Sequence, residues 1–149
     1  QGNASAQSIL GMMYDKGQGV IQDYVEALKW FRLAAAQGDT RAQSMLGVMY
    51  GTGEGVAQDA SEALKWLRLA AGQGDANAQL NLGVMYLKGQ GTPQNFVRAH
   101  MWINVAAAAG NAVALKNRDN IATLMTPQQI AEAQKMAHDC QQRKFKGCD

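Results

Sequence analysis

Few residues of this chain have side chains that could carry chemistry: Cys140 and Cys148, His100 and His138, the pair Ser61 and Lys65, and three Gly-x-Gly loops. A penicillin-recognising serine hydrolase needs Ser-x-x-Lys, which places the lysine one helical turn from the nucleophile. Lys65 lies one residue too far from Ser61, and no other serine has such a neighbour. A helix-borne zinc site needs a second ligand one turn from the histidine, and neither histidine has one. His138, Asp139, Cys140 and Cys148 together offer ligand types, but Asp139 and Cys140 are chain neighbours that leave a helix in different directions. The loops Gly17-Gln18-Gly19, Gly53-Glu54-Gly55 and Gly89-Gln90-Gly91 lack the third glycine of a dinucleotide fingerprint, and no strand pattern precedes them. Asn3-Ala4-Ser5 spells a glycosylation sequon, a short match that arises easily by chance. On this reading the chain has no catalytic residue, no metal site and no cofactor.

The elements that hold these residues follow from a repeat. Gly2-Asn3, Gly38-Asp39, Gly74-Asp75 and Gly110-Asn111 recur at a spacing of 36 residues, and such a period marks stacked supersecondary units, none of which can bury its apolar face alone. The Asx residues at 3, 39, 75 and 111 are placed to cap a first helix, A. Ala6, Leu10 and Tyr14, with Ala42, Leu46, Tyr50 and Ala78, Leu82, Tyr86, form its apolar stripe. Gly11, Gly47 and Gly83 interrupt helix A at a cost of about 1 kcal/mol each relative to alanine, which implies close helix approach. The Gly-x-Gly loops stop helix A, and Asp23, Asp59 and Asn95 cap a second helix, B. Its core face is Ala27, Leu28, Phe31 and Ala34, matched by Ala63, Leu64, Leu67 and Ala70, and each B helix carries a tryptophan, at 30, 66 and 102. The fourth unit drops the Gly-x-Gly loop, places Arg118 where other units have leucine, and opens its last helix with Thr126-Pro127-Gln128-Gln129, a capping box with proline at the first helical position. The expected fold is all-α, a right-handed α/α solenoid of about four helix-turn-helix repeats, one domain over residues 1–149 with repeats from 2, 38 and 74 and a divergent capping repeat from 110.

The chain has 149 residues, 47% of them hydrophobic and 17% charged, enough apolar material for a folded core. A net charge of +2 supplies too weak a field to select nucleic acid, and no apolar run approaches the roughly 20 residues that span a bilayer. No basic stretch with an apolar signal core opens the chain, and its start at a repeat boundary reads as a mature or trimmed form.

The pattern Gly-Asx-x-x-Ala-Gln-x-x-Leu-Gly-x-x-Tyr, then Gly-x-Gly-Val, Gln-Asp and Glu-Ala-Leu-Lys-Trp, resembles the Sel-one-like repeat family of tetratricopeptide-related solenoids. The first two units match throughout, the third departs at Thr92, Arg98 and His100, and the fourth matches loosely. The resemblance implies adaptor and complex-assembly roles with another protein or peptide as partner. It also leaves two rivals: a weak hydrolase of the cysteine-linked subgroup, of β-lactam type, and a structural spacer in a longer repeat protein.

In such a solenoid the A helices line the concave wall. With 100° per residue and the stripe taken as core, the partner-facing set is Ser5, Ser8, Met12, Arg41, Ser44, Val48, Asn77, Leu80, Val84, Lys116 and Asn120. Its small polar groups, cations and apolar row suit an extended or helical peptide. The alternative is that the apolar row packs A helix against A helix. Lys29, Arg32, Lys65 and Arg68 read as a solvated outer row, and the methionines as core filler.

Aligning Glu132-Ala133-Gln134-Lys135 with Glu26-Ala27-Leu28-Lys29 sets Cys140 level with Ala34 and Cys148 level with Ala42. Alanine at both places in the other units implies that the end of B and the start of the next A touch there, close enough for a disulfide. The family resemblance implies the same spacing for its bridges. A bridge between Cys140 and Cys148 places the protein in the periplasm or outside a bacterial cell, whereas two reduced thiols would mean the cytosol.

Overall fold

The computed structural model describes residues 2–149. Within them lie eight helices and no strand: α1 (Ala4–Lys16), α2 (Tyr24–Ala36), α3 (Thr40–Thr52), α4 (Ala60–Gly72), α5 (Ala76–Lys88), α6 (Phe96–Ala108), α7 (Ala112–Ala122) and α8 (Pro127–Gln142). They form two compact units, residues 1–69 and 70–149.

Each helix starts and stops where its residues dictate. The Asn3, Asp39, Asp75 and Asn111 side chains accept hydrogen bonds from the amides of Ala6, Ala42, Ala78 and Ala114. Asp23, Asp59 and Asn95 do the same for α2, α4 and α6; each such cap stabilises by about 1 kcal/mol. Gly17, Gly53 and Gly89 end α1, α3 and α5 in the left-handed conformation. A glutamine then braces each turn: Gln22, Gln58 and Gln94 donate to the carbonyls of Asp15, Gly51 and Leu87 at 2.7, 2.7 and 2.8 Å. The B helices share one stop. The amides of Asp39, Asp75 and Asn111 reach back to the carbonyls of Ala34, Ala70 and Ala106, while those of Gly38, Gly74 and Gly110 reach Ala35, Ala71 and Ala107. This double bond pattern is the Schellman motif, with glycine in the left-handed position.

In the first unit, Phe31, Leu46, Met49 and Leu67 are the large fully buried side chains, packed with Ala27, Ala34, Ala42 and Ala63. The glycines of helix A permit this: a Cβ on Gly47 would stand 2.5 Å from Cγ of Leu67, and one on Gly11 2.7 Å from the Phe31 ring. The stripe differs in α1, where Ala6 is exposed and Leu10 and Tyr14 are half-buried. In α3 that stripe packs on the preceding B helix, α2, whereas among the described residues no helix precedes α1. Gln43 is also buried, its amide donating to the Ala35 carbonyl at 3.4 Å.

In the second unit, Leu82, Met101, Ile103 and Val105 fill the core, and Gly83 receives Ile103 as Gly47 receives Leu67. α8 begins with the capping box Thr126–Gln129 and proline at its first turn, and it packs against α6 through Ala133, Ala137 and Cys140. Arg118, in the place of Leu46 and Leu82, pairs with its neighbour Asp119 at 2.8 Å.

Leu46→Ala leaves a cavity at a fully buried site and is expected to lower stability by about 2 to 5 kcal/mol, read from urea unfolding followed by circular dichroism. A loss under about half a kcal/mol would place Leu46 outside the core.

Candidate functional site

The A-helix row divides by exposure. In the first unit Ser5 and Arg41 are exposed and Met12 and Val48 half-buried, while Ser8 and Ser44 are buried. In the second, Asn77, Lys116 and Asn120 are exposed and Leu80 and Val84 half-buried. Ser8 and Ser44 therefore leave the partner-facing set as read from helical periodicity. An A helix packs against its own B helix, the preceding B helix and the neighbouring A helix, so its buried arc is wider than one stripe; α3 touches both α1 and α2. Met12 likewise packs against the core of the first unit. The accessible residues are thus Ser5 and Arg41 with half-buried Val48 in the first unit, and Asn77, Lys116 and Asn120 with half-buried Leu80 and Val84 in the second.

The B helices carry paired cations. Lys29 pairs with Glu26 and Lys65 with Glu62, the latter at 3.3 Å, all on solvated surface. Arg32 donates to the Tyr50 hydroxyl at 2.6 Å and lies 5.8 Å over its ring.

Cys140 and Cys148 are joined by a disulfide, with Cα atoms 5.3 Å apart and both residues buried. His138 and Asp139 beside them are exposed, so the four side chains do not converge as ligands. The bridge pins a tail whose turn copies the B-helix stop: the Lys144 amide reaches the Gln141 carbonyl and the Phe145 amide that of Cys140. Here Lys144 (φ 52°) and Phe145 (φ 65°) occupy the left-handed region, and Lys144 holds the place that glycine has in the other units. The Phe145 ring closes over Gly74.

At the end of this tail lies an arrangement that sequence reasoning missed. The Tyr86 hydroxyl donates to Oδ1 of Asp149, Trp102 Nε1 donates to the same oxygen at 3.2 Å, and Arg98 Nη1 approaches it at 3.4 Å. The signal available in the sequence was Arg98, which departs from Glu26 and Glu62 at the same repeat position.

His100, another departure of the third unit, stands where the others have Leu28 and Leu64. It is buried, and its Nδ1 has no hydrogen-bond partner. Burial first, and then the Arg118 charge, push its pKa below the usual histidine value.

Capped helix pairs repeating every 36 residues define an α/α repeat protein of the solenoid class. The chain belongs to the Sel1 repeat family, whose model matches residues 4–39, 40–75 and 76–111. Proteins of this family generally serve as protein-interaction scaffolds. The chain is similar to c5321 from uropathogenic Escherichia coli, described as a protective antigen displaying an SLR fold, with 33% identity and a TM-score of 0.91 over 99% of this chain and 32% of that one. It is also similar to a Sel1 repeat protein from Oxalobacter formigenes, at 38% identity and a TM-score of 0.73 over 78% of this chain and 46% of that one. The chain thus spans about a third and about half of these two proteins. No curated protein matches it.

Unfolded His100 binds a proton at about pH 6.5 and the folded form binds it more weakly, so its contribution to stability is complete above about pH 6.5 and is lost as pH falls below that. His100→Leu is expected to flatten the fall in stability between neutral and mildly acidic pH and to add about 1 kcal/mol at neutrality by removing an unpartnered nitrogen; an unchanged slope in urea titrations would exclude His100 as its source. Lys144→Gly relieves a left-handed lysine and is expected to raise stability of the oxidised protein by about 1 kcal/mol. A loss of stability in the same titration would contradict this.

Proposed function

We propose that this chain is a protein- or peptide-binding adaptor and that its ligand lies along the exposed part of the A helices. The observation that carries this reading is the pairing, on α3, of exposed Arg41 with half-buried Val48, a charged group and an apolar step on one accessible stretch of helix. Asn77 with Val84 on α5 repeats the combination. An extended or helical peptide has main-chain polar groups and side-chain apolar groups at matching intervals. The scaffold role of the family agrees with it.

We further infer an oxidising compartment, the periplasm or the exterior of a bacterial cell. The Cys140–Cys148 bridge supports this, since such bonds persist where thiols are not kept reduced. The similar c5321 is described as a protective antigen, a description that fits export. Hydrolysis of a β-lactam is the weaker reading: the Ser8 hydroxyl is buried, Lys65 pairs with Glu62, and both cysteines are consumed in the bridge.

Peptides selected from a display library against the folded protein provide the test. Arg41→Glu with Val48→Asp is expected to weaken their binding by about tenfold or more, roughly 1.4 kcal/mol, with the helical spectrum unchanged. If Lys29→Glu with Lys65→Glu weakens it instead, the B-helix face is the binding surface and the A-helix assignment is wrong.

A further inference from the structure

The third repeat differs from the first two in one small region, and the differences combine into a binding site. At the first turn of helix B, Glu26 and Glu62 give way to Arg98, and one turn later Lys29 and Lys65 give way to Met101. The acid–base pair of the earlier units is thereby replaced by a single cation beside a tyrosine and a tryptophan that all three units possess. Arg98 lies 5.8 Å over the Tyr86 ring, which holds the guanidinium close to the hydroxyl. Tyr86 and Trp102 are almost wholly buried, at 3% and 2% exposure, while the Arg98 side chain stays 36% exposed. Two sheltered donors at the floor and a guanidinium at the rim form a socket for a carboxylate, because charge-assisted bonds of this kind are the strong ones.

The occupant is Asp149. It belongs to no helix, and the bond of the adjoining Cys148 to Cys140 ties it to α8, which packs on α6, the helix that carries Arg98 and Trp102. The second repeat provides the comparison: Trp66 Nε1, at the same repeat position as Trp102 Nε1, is buried with no hydrogen-bond partner. The repeat therefore folds without an acceptor for this indole, and the acceptor in the third repeat is supplied as a ligand would be.

We propose that Tyr86, Arg98 and Trp102 form a carboxylate-binding site for an aspartate or glutamate side chain of a bound peptide, and that Asp149 fills this site in cis. A tethered occupant acts at an effective concentration in the millimolar range, so an outside carboxylate binds with an apparent affinity reduced by the fraction of open sites. This site extends the adaptor reading by naming a ligand class, but its test needs no peptide partner and does not involve Arg41 or Val48.

The probe is N-acetyl-aspartate N-methylamide, titrated into the full oxidised chain while the three tryptophan indole N–H signals are followed by NMR, with Trp102 identified by elimination using Trp30→Phe and Trp66→Phe. Asp149→Ala is expected to shift the Trp102 signal by itself, and then to show saturable probe binding at that signal about tenfold tighter than the unsubstituted chain. Asp149→Asn, which keeps the size of the side chain and an acceptor oxygen, is expected to fall between the two and serves if the alanine variant is poorly folded. Adding Arg98→Gln to either variant is expected to abolish the gain. The neutral N-acetyl-asparagine analogue is expected to leave the signal unmoved. Absence of a saturable Trp102 shift in both Asp149 variants would overturn the site, whatever becomes of the A-helix surface. Acetate binding as tightly as the probe would overturn the assignment to a peptide side chain.

Discussion

The contact between a glycine of helix A and a large side chain of helix B sets the geometry on which each repeat depends. A Cβ at Gly47 or Gly83 would come within 2.5 Å of Leu67 or Ile103, so the two axes can approach only where helix A has no side chain. The closeness brings Leu46 and Leu82 into full burial and leaves the B-helix alanines, Ala27, Ala63 and Ala99, as the residues that fit between. The helix formed by such a segment has weak intrinsic preference, since each central glycine costs about 1 kcal/mol. An Asx cap at one end of helix A and a left-handed glycine at the other offset that cost, which explains why the Asx and glycine positions recur as faithfully as the apolar ones.

Burial in so narrow an interface is demanding for polar groups. Gln43 and Gln79 meet part of the demand by donating to the Ala35 and Ala71 carbonyls near the ends of the B helices, while Gln79 Oε1 has no partner. The Ser8 hydroxyl, the Trp66 indole nitrogen and His100 Nδ1 do not meet it, and each unpartnered group of this kind costs about 1 to 3 kcal/mol. Trp66 and Trp102 are thus the same residue in the same framework with opposite fates, one without an acceptor and one holding a carboxylate.

Helix boundaries were legible in the sequence because they are local: an Asx side chain reaches an amide three residues on, and a left-handed glycine acts within one turn. The capping box at Thr126 and the pairing of Cys140 with Cys148 were legible for a related reason, since the repeat transfers geometry from a known unit to a divergent one. Ser8 and Ser44 were misplaced because a single helical stripe describes a helix packed on one side, whereas a helix A is packed on more than one. The socket around Asp149 was not legible at all. Its parts come from two helices and a tail, and no periodicity relates residue 149 to residue 86; only the reversal from Glu26 and Glu62 to Arg98 marked the place.

The tail that ends in this socket also bears on the order in which the molecule assembles. Contacts within a helix pair are short in sequence and form early, as expected of chains rich in local contacts. The bonds of Asp149 to Tyr86, Arg98 and Trp102 span 63, 51 and 47 residues, and the entropy of closing such loops must be met before they return anything. α5 to α8 are expected to come together first, with the segment after α8 settling onto them. The disulfide joins residues only eight apart in sequence and is free of that order. Oxidation before assembly shortens the search that Asp149 has to make, and oxidation afterwards locks in a dock already made.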